Sequence, residues 1–271
     1  MFNCYAKSGR SIVTKGHSFI NIMAHVTAKP SRLQRYGLSL NTHDMVKIVA
    51  ILLMVIDHIG YYLLADNLWF RLIGRNAAPL FFFLIGYSGK LHITWMLCLY
   101  GVLLTLSAYV VNGNTQIDIL LGFMLLPVFF HYLPAQKLAL IQRVSLYLVC
   151  ATLTLFLYKY IEYGLLGILI GYSGRFVALN EKFADLWLIL ALIIYYLWES
   201  LSFGFTANPS MLYWFGFFIL MLYLVMSHYQ QKTLSCPKWL LMPSLVVSRY
   251  SLEVYFFHLI ALQAYKFLRL S

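Results

Sequence analysis

Three ionisable residues interrupt an apolar stretch, residues 44–64, that is long enough to cross a bilayer as one helix. Two of them, Lys47 and His58, are eleven positions apart, so they share one face of a helix and lie roughly 16 Å apart along its axis. The third is Asp57. Ionisable groups inside a spanning helix are costly and normally face a protein interior or a wet cavity. The stretch therefore predicts one wall of a polar chamber, in which His58 takes and returns a proton near neutral pH.

The carboxylate of Asp57 is either a catalytic partner of His58 or an anchor for a neighbouring helix. Adjacent residues on a helix point about 100° apart, which favours the anchor. Arg71 and Arg75 are candidates for the anchored side chains. They are four residues apart and share a helix face, where two guanidinium groups suit a phosphate or a carboxylate. Alternatively, they lie in an interfacial loop and pair with Asp66 or with lipid headgroups.

Two later segments supply further candidates for the chamber wall. Glu162 and Tyr163 open an apolar run, so Glu162 either caps that helix or binds substrate together with Tyr163. Ser251, Tyr255 and His258 follow the spacing i, i+4 and i+7, which places them on one polar stripe of a helix. These three residues are candidates for substrate binding or for hydrogen-bonded packing.

The sequence gives no sign of a metal site or of a disulfide framework. No pair of acids or histidines at i, i+4 spacing on one helix indicates metal ligation, so we expect no metal. The cysteines Cys4, Cys98, Cys150 and Cys236 are widely scattered and are typical of small core residues.

The composition indicates a polytopic membrane protein. Hydrophobic residues make up 62% of the 271 positions and charged residues only 11%, whereas charged residues approach about 25% in soluble domains. The net charge of +11 raises the question of nucleic acid. Basic residues gather in short loops and in residues 1–43, as cytoplasmic segments require, so we expect a lipid bilayer as partner and no nucleic acid.

The chain divides into a basic segment, residues 1–43, and a transmembrane domain, residues 44–271. The first segment carries no acid and is predicted to be disordered or to lie on the membrane surface. The second holds nine apolar runs: 44–64, 69–90, 93–111, 117–133, 138–158, 163–177, 184–203, 211–229 and 248–268. A tenth, 239–247, is cut by Pro243 and is predicted to be interfacial or re-entrant unless it crosses.

This pattern predicts an all-α bundle of about nine to ten membrane helices with a cytoplasmic N-terminus. The opposite loops, residues 112–116 and 204–210, carry no lysine or arginine. The run at residues 69–90 is expected to kink around Pro79. One short internal repeat, which we call the internal echo, consists of residues 84–90 and residues 169–175. It indicates either a duplicated transporter-like fold or, as we favour, two helix ends with glycine caps and a basic interfacial residue.

Several of these segments resemble the TraX family, the conjugative pilin acetylases of bacterial inner membranes. The resemblance is carried by residues 47–58 (KIVAILLMVIDH), 71–75 (RLIGR) and 78–81 (APLF). Residues 162–167 and 255–259 are similar to later motifs of that family. A basic residue followed eleven positions later by histidine also resembles the wider membrane acyltransferases that modify surface glycans.

The resemblance implies a multi-pass inner-membrane enzyme that transfers an acetyl group from acetyl-CoA to the N-terminal amine of a pilin subunit. His58 matches the essential histidine and would act as a base or as an acyl carrier. Lys47, Arg71 and Arg75 would hold the phosphates of the cofactor or stabilise the developing oxyanion. Two alternatives stay open: O-acetylation of a cell-surface glycan and, with less support, a transporter.

Overall fold

A computed structural model describes residues 39–89, 93–235 and 237–270. Of the segment predicted to be disordered or interfacial, residues 1–43, residues 1–38 lie outside this part of the chain, whereas residues 40–43 form a short strand and the start of the first helix. The α-helices of the described part are α1 (Thr42–Tyr62), α2 (Leu68–Gly74), α3 (Ala77–Ser88), α4 (Trp95–Asn112), α5 (Ile119–Phe123), α6 (Leu125–Tyr132), α7 (Leu140–Leu157), α8 (Leu166–Ala178), α9 (Ala184–Ser202), α10 (Pro209–Ser227), α11 (Lys238–Arg249) and α12 (Ser251–Leu270). Two short strands, β1 (Leu40–Asn41) and β2 (Thr233–Leu234), pair in antiparallel fashion.

The architecture is the predicted helical bundle of a multi-pass membrane protein, because every predicted apolar run contains helix. Within the described residues, six helical segments are long and apolar enough to cross a membrane: α1, α2 together with α3, α4, α7, α9 and α10. The pair α11 and α12 would make a seventh if it is one span, and its two helices meet at 76°. Two further apolar helical runs, one formed by α5 and α6 and the other by α8, are shorter than a full span. The described part of the chain thus has six to seven helical segments long enough to cross, fewer than the nine to ten predicted.

Helix α1 is fixed at its first turn by a capping box. The side chain of Asn41 accepts a hydrogen bond from the backbone N–H of Asp44, and the Asp44 carboxylate accepts from the N–H of Asn41. The same carboxylate accepts a hydrogen bond from Ser248 at 2.6 Å and lies 3.6 Å from the guanidinium of Arg249. The start of α1 is thereby tied to the end of α11.

The second membrane segment is interrupted earlier than the kink that was predicted around Pro79. The helix breaks at Arg75 and Asn76, between α2 and α3, whereas Pro79 lies in the first turn of α3, where proline is tolerated. The amide of Asn76 donates to the backbone carbonyls of Leu72 and Ile73. The backbone N–H of Asn76 bonds to Ile73, so the side-chain bond to Leu72 replaces the partner that this carbonyl would have in a continuous helix.

The internal echo marks a close crossing of α3 and α8. A Cβ on Gly86 would overlap the carbonyl group of Gly171, and one on Gly174 would approach the carbonyl of Phe83, so these positions require glycine. The first copy ends α3 with Gly89 in the left-handed region at φ 61°, as predicted. The same prediction is wrong for the second copy, because α8 continues past Gly174 and ends at Ala178.

The last two helices bring the end of the chain back to its first membrane helix. The segment 239–247 belongs to α11, which is helical and sharply bent relative to α12. Helix α12 packs against α1 and α4, and α11 packs against α1. The C-terminal half of α1 therefore faces residues of α12 across the interior.

Candidate active site

A polar cavity of about 200 Å³ opens at the C-terminal end of α1. Its walls come from α1, α2, α4 and α12, and from the connections after α2, α4, α7 and α9. The lining residues are Asp57, His58, Tyr61, Tyr62, Arg71, Arg75, Leu104, Thr105, Ala108, Asn112, Asn114, Gln116, Ile117, Asp118, Tyr158, Glu162, Tyr163, Phe203, Tyr255, Leu259 and Gln263. Most of the predicted site residues meet here, although they are far apart in the sequence.

His58 projects from α1 and is paired with a second histidine. Its Nδ1 lies 2.7 Å from Nε2 of His258 on α12. The rings of Tyr62 and Tyr255 approach His58 edge-on, with centroids 6.4 and 6.0 Å away. His58 lines the cavity, and none of the described residues forms a hydrogen bond with its Nε2.

The predicted ion pair between Asp57 and the two arginines is present. Oδ2 of Asp57 accepts a hydrogen bond from Arg71 at 2.7 Å and lies 3.4 Å from a guanidinium nitrogen of Arg75. Asp57 is only 5% exposed, and Oδ1 has no hydrogen-bond partner in the described structure. Gly74 allows α2 to approach this closely, because a Cβ there would overlap the backbone and Cβ of Asp57.

Arg75 is buried at 5% exposure inside a shell of acceptors. It donates to the hydroxyl of Tyr163 at 2.9 Å and lies 3.9 Å from the Glu162 carboxylate and 4.0 Å from the Glu199 carboxylate. The ring of Phe203 stacks on the guanidinium, with its centroid 4.2 Å away. Buried charges are tolerated when they are paired in this way.

Arg71 is also committed to carboxylates. Besides Asp57, its guanidinium lies 3.3 Å from Asp66, so both predicted partners of this arginine are present. A cofactor phosphate at Arg71 or Arg75 would have to compete with these acids. The local geometry therefore assigns the two arginines to the framework of the cavity, in contrast to the phosphate-binding role that the sequence suggested.

Glu162 caps a helix, although not the one that its sequence position suggests. Helix α8 begins only at Leu166, whereas Oε2 of Glu162 accepts a hydrogen bond from the N–H of Ile119 at the start of α5. The backbones of Ile117 and Glu162 are also bonded, which joins the two connections. Burial raises the pKa of Glu162, and the charge of Arg75 offsets part of that effect.

Asp118 is a site residue that the sequence reasoning missed. One oxygen caps α5 at the N–H of Leu120, at 2.9 Å, and the other accepts from the hydroxyl of Tyr255 at 3.0 Å. Burial and the neighbouring Glu162 carboxylate raise the pKa of Asp118 to about 8. The available signal was an aspartate immediately before an apolar helical run, which is typical of an N-cap.

The polar stripe on α12 reaches the site only in part. Tyr255 lines the cavity, while Ser251, at the first position of α12, is not among the lining residues. His258 contacts His58 and also lies 2.8 Å, through Nδ1, from the carbonyl of Val254. Because both ring nitrogens of His258 are engaged, it offers none to a substrate, and its predicted substrate-binding role is not supported.

Lys47 lies elsewhere on α1. It is about three turns before His58, roughly 16 Å away along the axis, and it is not among the residues that line the cavity. Lys47 and His58 share a face of α1, as predicted, but only the His58 end of that face borders the cavity.

An uncharged network that the sequence did not indicate closes one side of the cavity. Gln263 on α12 donates to the hydroxyl of Tyr62 at 3.1 Å and accepts from Ser107 on α4. Asn112 donates to the same tyrosine at 3.4 Å. Serine, asparagine and glutamine within apolar helices carry too weak a signal in a single sequence to be assigned to a site.

Comparisons with known proteins cover most of the chain. The sequence model of the family described as TraX protein matches residues 42–263, a range that contains every residue lining the cavity. An uncharacterized protein of Rickettsia prowazekii (strain Madrid E) is similar, with 26% identity over 236 residues that cover 82% of this chain and 91% of that protein. No solved structure matches the chain.

Proposed function

This chain belongs to the TraX family, and from that premise we propose that it is a membrane acetyltransferase acting on a pilin subunit in the bacterial inner membrane. The acetyl group would come from acetyl-CoA and go to the N-terminal amine of the pilin. One observation carries the proposal: His58, whose Nε2 has no hydrogen-bond partner among the described residues, lines a cavity together with acidic residues and arginines.

The chemistry assigns a proton transfer to His58. A protonated amine first releases one proton to water, since only the neutral amine attacks a thioester. Nε2 of His58 then takes the second proton as the C–N bond forms, and returns it to the sulfur as the C–S bond of the thioester breaks. The products are the acetylated amine and the free thiol of CoA, and His58 ends in its starting state.

The charges around the cavity favour an amine over a hydroxyl acceptor. Asp57 is already paired with Arg71 and Arg75, which leaves Asp118 and Glu162 as the further acids of the lining. Asp118 keeps its proton below about pH 8, so Glu162 is the carboxylate that attracts an ammonium group before it is deprotonated, whereas the hydroxyl of a glycan gains nothing comparable. Tyr163 and Tyr255 lie beside these acids, so we keep the predicted substrate-binding assignment for Glu162, Tyr163 and Tyr255.

The volume limits which part of the donor enters. About 200 Å³ is below the roughly 300–1,000 Å³ of typical small-molecule sites, so the acetyl thioester fits but the nucleotide of CoA stays outside. In this arrangement Lys47, beyond the cavity on α1, is the remaining basic candidate from the family motif for a contact with the cofactor.

The test is the release of CoA thiol by the purified chain in lipid vesicles, with acetyl-CoA and a panel of acceptors. We expect release with a pilin that has a free N-terminal amine, and a loss of about 100-fold or more in His58→Ala. His131→Ala is the matched control, because His131 is exposed and outside the cavity lining, and it should retain full activity.

Other outcomes would replace the proposal. Thiol release with a surface glycan and none with pilin would select O-acetylation. Accumulation of a solute inside the vesicles without acetyl-CoA would indicate a transporter. Thiol release with pilin that persists in His58→Ala would refute the assignment of the base.

A further inference from the structure

The hydrogen-bond chain through the two histidines fixes where each proton lies. The carbonyl oxygen of Val254 only accepts, so Nδ1 of His258, 2.8 Å away, must carry a hydrogen. A neutral His258 then has its lone pair on Nε2. That lone pair faces Nδ1 of His58 at 2.7 Å, so Nδ1 of His58 is the donor and carries the hydrogen.

We propose that His258 is a positioning residue that holds His58 in the tautomer with hydrogen on Nδ1, so that the lone pair of Nε2 faces the cavity. The catalytic consequence rests on the proposed function, in which His58 is the base. The tautomer itself rests on the hydrogen-bond geometry alone.

The surroundings hold both rings in the orientation that this bond needs. The ring planes of His58 and His258 are inclined by only 21°, with centroids 5.0 Å apart, as for two rings joined edge to edge through an N–H···N bond. His258 is fixed by the carbonyl one turn earlier on α12, and Tyr62 and Tyr255 contact His58 from the sides. The acceptor is therefore presented by a rigid helix.

A neutral histidine here takes the place that a carboxylate often holds behind a catalytic histidine. In the described structure, neither ring is hydrogen-bonded to a carboxylate, and the adjacent Asp57 is committed to Arg71. When His58 accepts a proton at Nε2, its Nδ1–H still donates to His258. The positive charge can then be shared by moving that Nδ1 proton to Nε2 of His258.

Two substitutions of His258 separate this role from simple packing. A glutamine is long enough to place its amide oxygen where Nε2 of His258 lies and to accept the same bond. An asparagine is one carbon shorter and reproduces only the end of the ring that faces Val254. We expect His258→Gln to retain kcat within about threefold, and His258→Asn to lower kcat about 100-fold with little change in KM.

The tautomer is measured directly by ¹⁵N NMR of the full chain, labelled at histidine and reconstituted in lipid vesicles without substrate. The signals of His58 are those that disappear in His58→Ala. We expect hydrogen on Nδ1 and none on Nε2 of His58 in the wild type, and loss of this preference in His258→Asn. Thermal unfolding of both His258 variants shows whether each is folded.

The outcomes distinguish this inference from the proposed function. Hydrogen on Nε2 of His58 in the wild type would overturn the inference, and so would unchanged kcat in a folded His258→Asn. The expected NMR result in a protein that transfers no acetyl group would support the positioning role and refute the acetyltransferase.

Discussion

The two ends of helix α1 use similar residues for different purposes. Near each end, an aspartate at no more than 5% exposure faces arginine: Asp44 lies 3.6 Å from Arg249, and Asp57 is bonded to Arg71 at 2.7 Å. Both ends also contact the C-terminal helices, through Ser248 at the first end. The sequence alone does not distinguish these two buried ion pairs.

The difference lies in what remains unbonded. At the first end, both oxygens of Asp44 accept hydrogen bonds, from Ser248 and from the N–H of Asn41. At the second end, Oδ1 of Asp57 lacks a hydrogen bond within the described residues, and the neighbouring His58 faces a cavity. A fully bonded acid fixes a helix, whereas an incompletely bonded one at a cavity marks the place where chemistry is feasible.

The largest stability effect should come from the end with the cavity. In Asp57→Ala, Arg71 and Arg75 both stay buried without their shared acid, and we expect a loss of about 3–5 kcal/mol in the free energy of unfolding. In Asp44→Ala, a single arginine at a longer distance and two hydrogen bonds are affected, and the loss should be about 1–3 kcal/mol. Denaturant unfolding in detergent measures both.

Equal losses in the two variants would remove the contrast between the ends. A larger loss in Asp44→Ala would reverse the contrast, and would mean that the Asp44 end contributes more to the stability of α1.

A smaller effect should follow from Gly74, where α2 meets Asp57. Gly74→Ala places a Cβ against the backbone of α1, so we expect a loss of about 1–3 kcal/mol together with lower activity, because His58 follows directly. The matched control is Gly216→Ala in the middle of α10, where the added methyl meets nothing closer than 3.7 Å. That variant should be neutral or up to about 1 kcal/mol more stable.

The last prediction concerns how stability changes with pH. The raised pKa of Asp118, about 8 against an unfolded value of about 3.9, means that the folded chain retains a proton that the unfolded chain releases. The stability that this group contributes is present below about pH 4 and is lost as the pH rises toward 8. Asp118→Asn keeps the cap of α5 and should reduce the fall in Tm between pH 5 and pH 8.

The control for this measurement is Asp185→Asn, which changes an exposed aspartate at the start of α9 and should leave the pH dependence as it is. If Asp118→Asn has the same slope as the wild type, Asp118 does not hold its proton in the folded chain.

Patterns within single helices were sufficient to predict a membrane protein and some of the residues that line the cavity. The cost of ionisable groups in an apolar helix identified Asp57 and His58, and the four-residue spacing of Arg71 and Arg75 gave the partners of Asp57. These inferences depend on one helix and its neighbour in sequence, so helical periodicity alone supports them.

The remaining features depend on contacts between distant segments. Glu162 caps α5, more than forty residues earlier, and His258 meets His58 across 200 residues. The glycine echo looked like two helix ends, but its second copy is a packing surface inside α8. Lys47 shares a face with His58, yet only the fold shows where the cavity ends.

The claim that His58 catalyses pilin acetylation is tested most directly by the intact mass of pilin. The pilin comes from cells that carry this chain, lack it, or carry His58→Ala. We predict one added acetyl group on the N-terminal amine with the wild-type chain, and none in the other two cases. Asp44→Asn, in the first turn of α1 and away from the cavity, should still support acetylation in proportion to the folded protein present. An unchanged pilin mass with the wild type, or an acetyl group that persists in His58→Ala, would contradict the assignment.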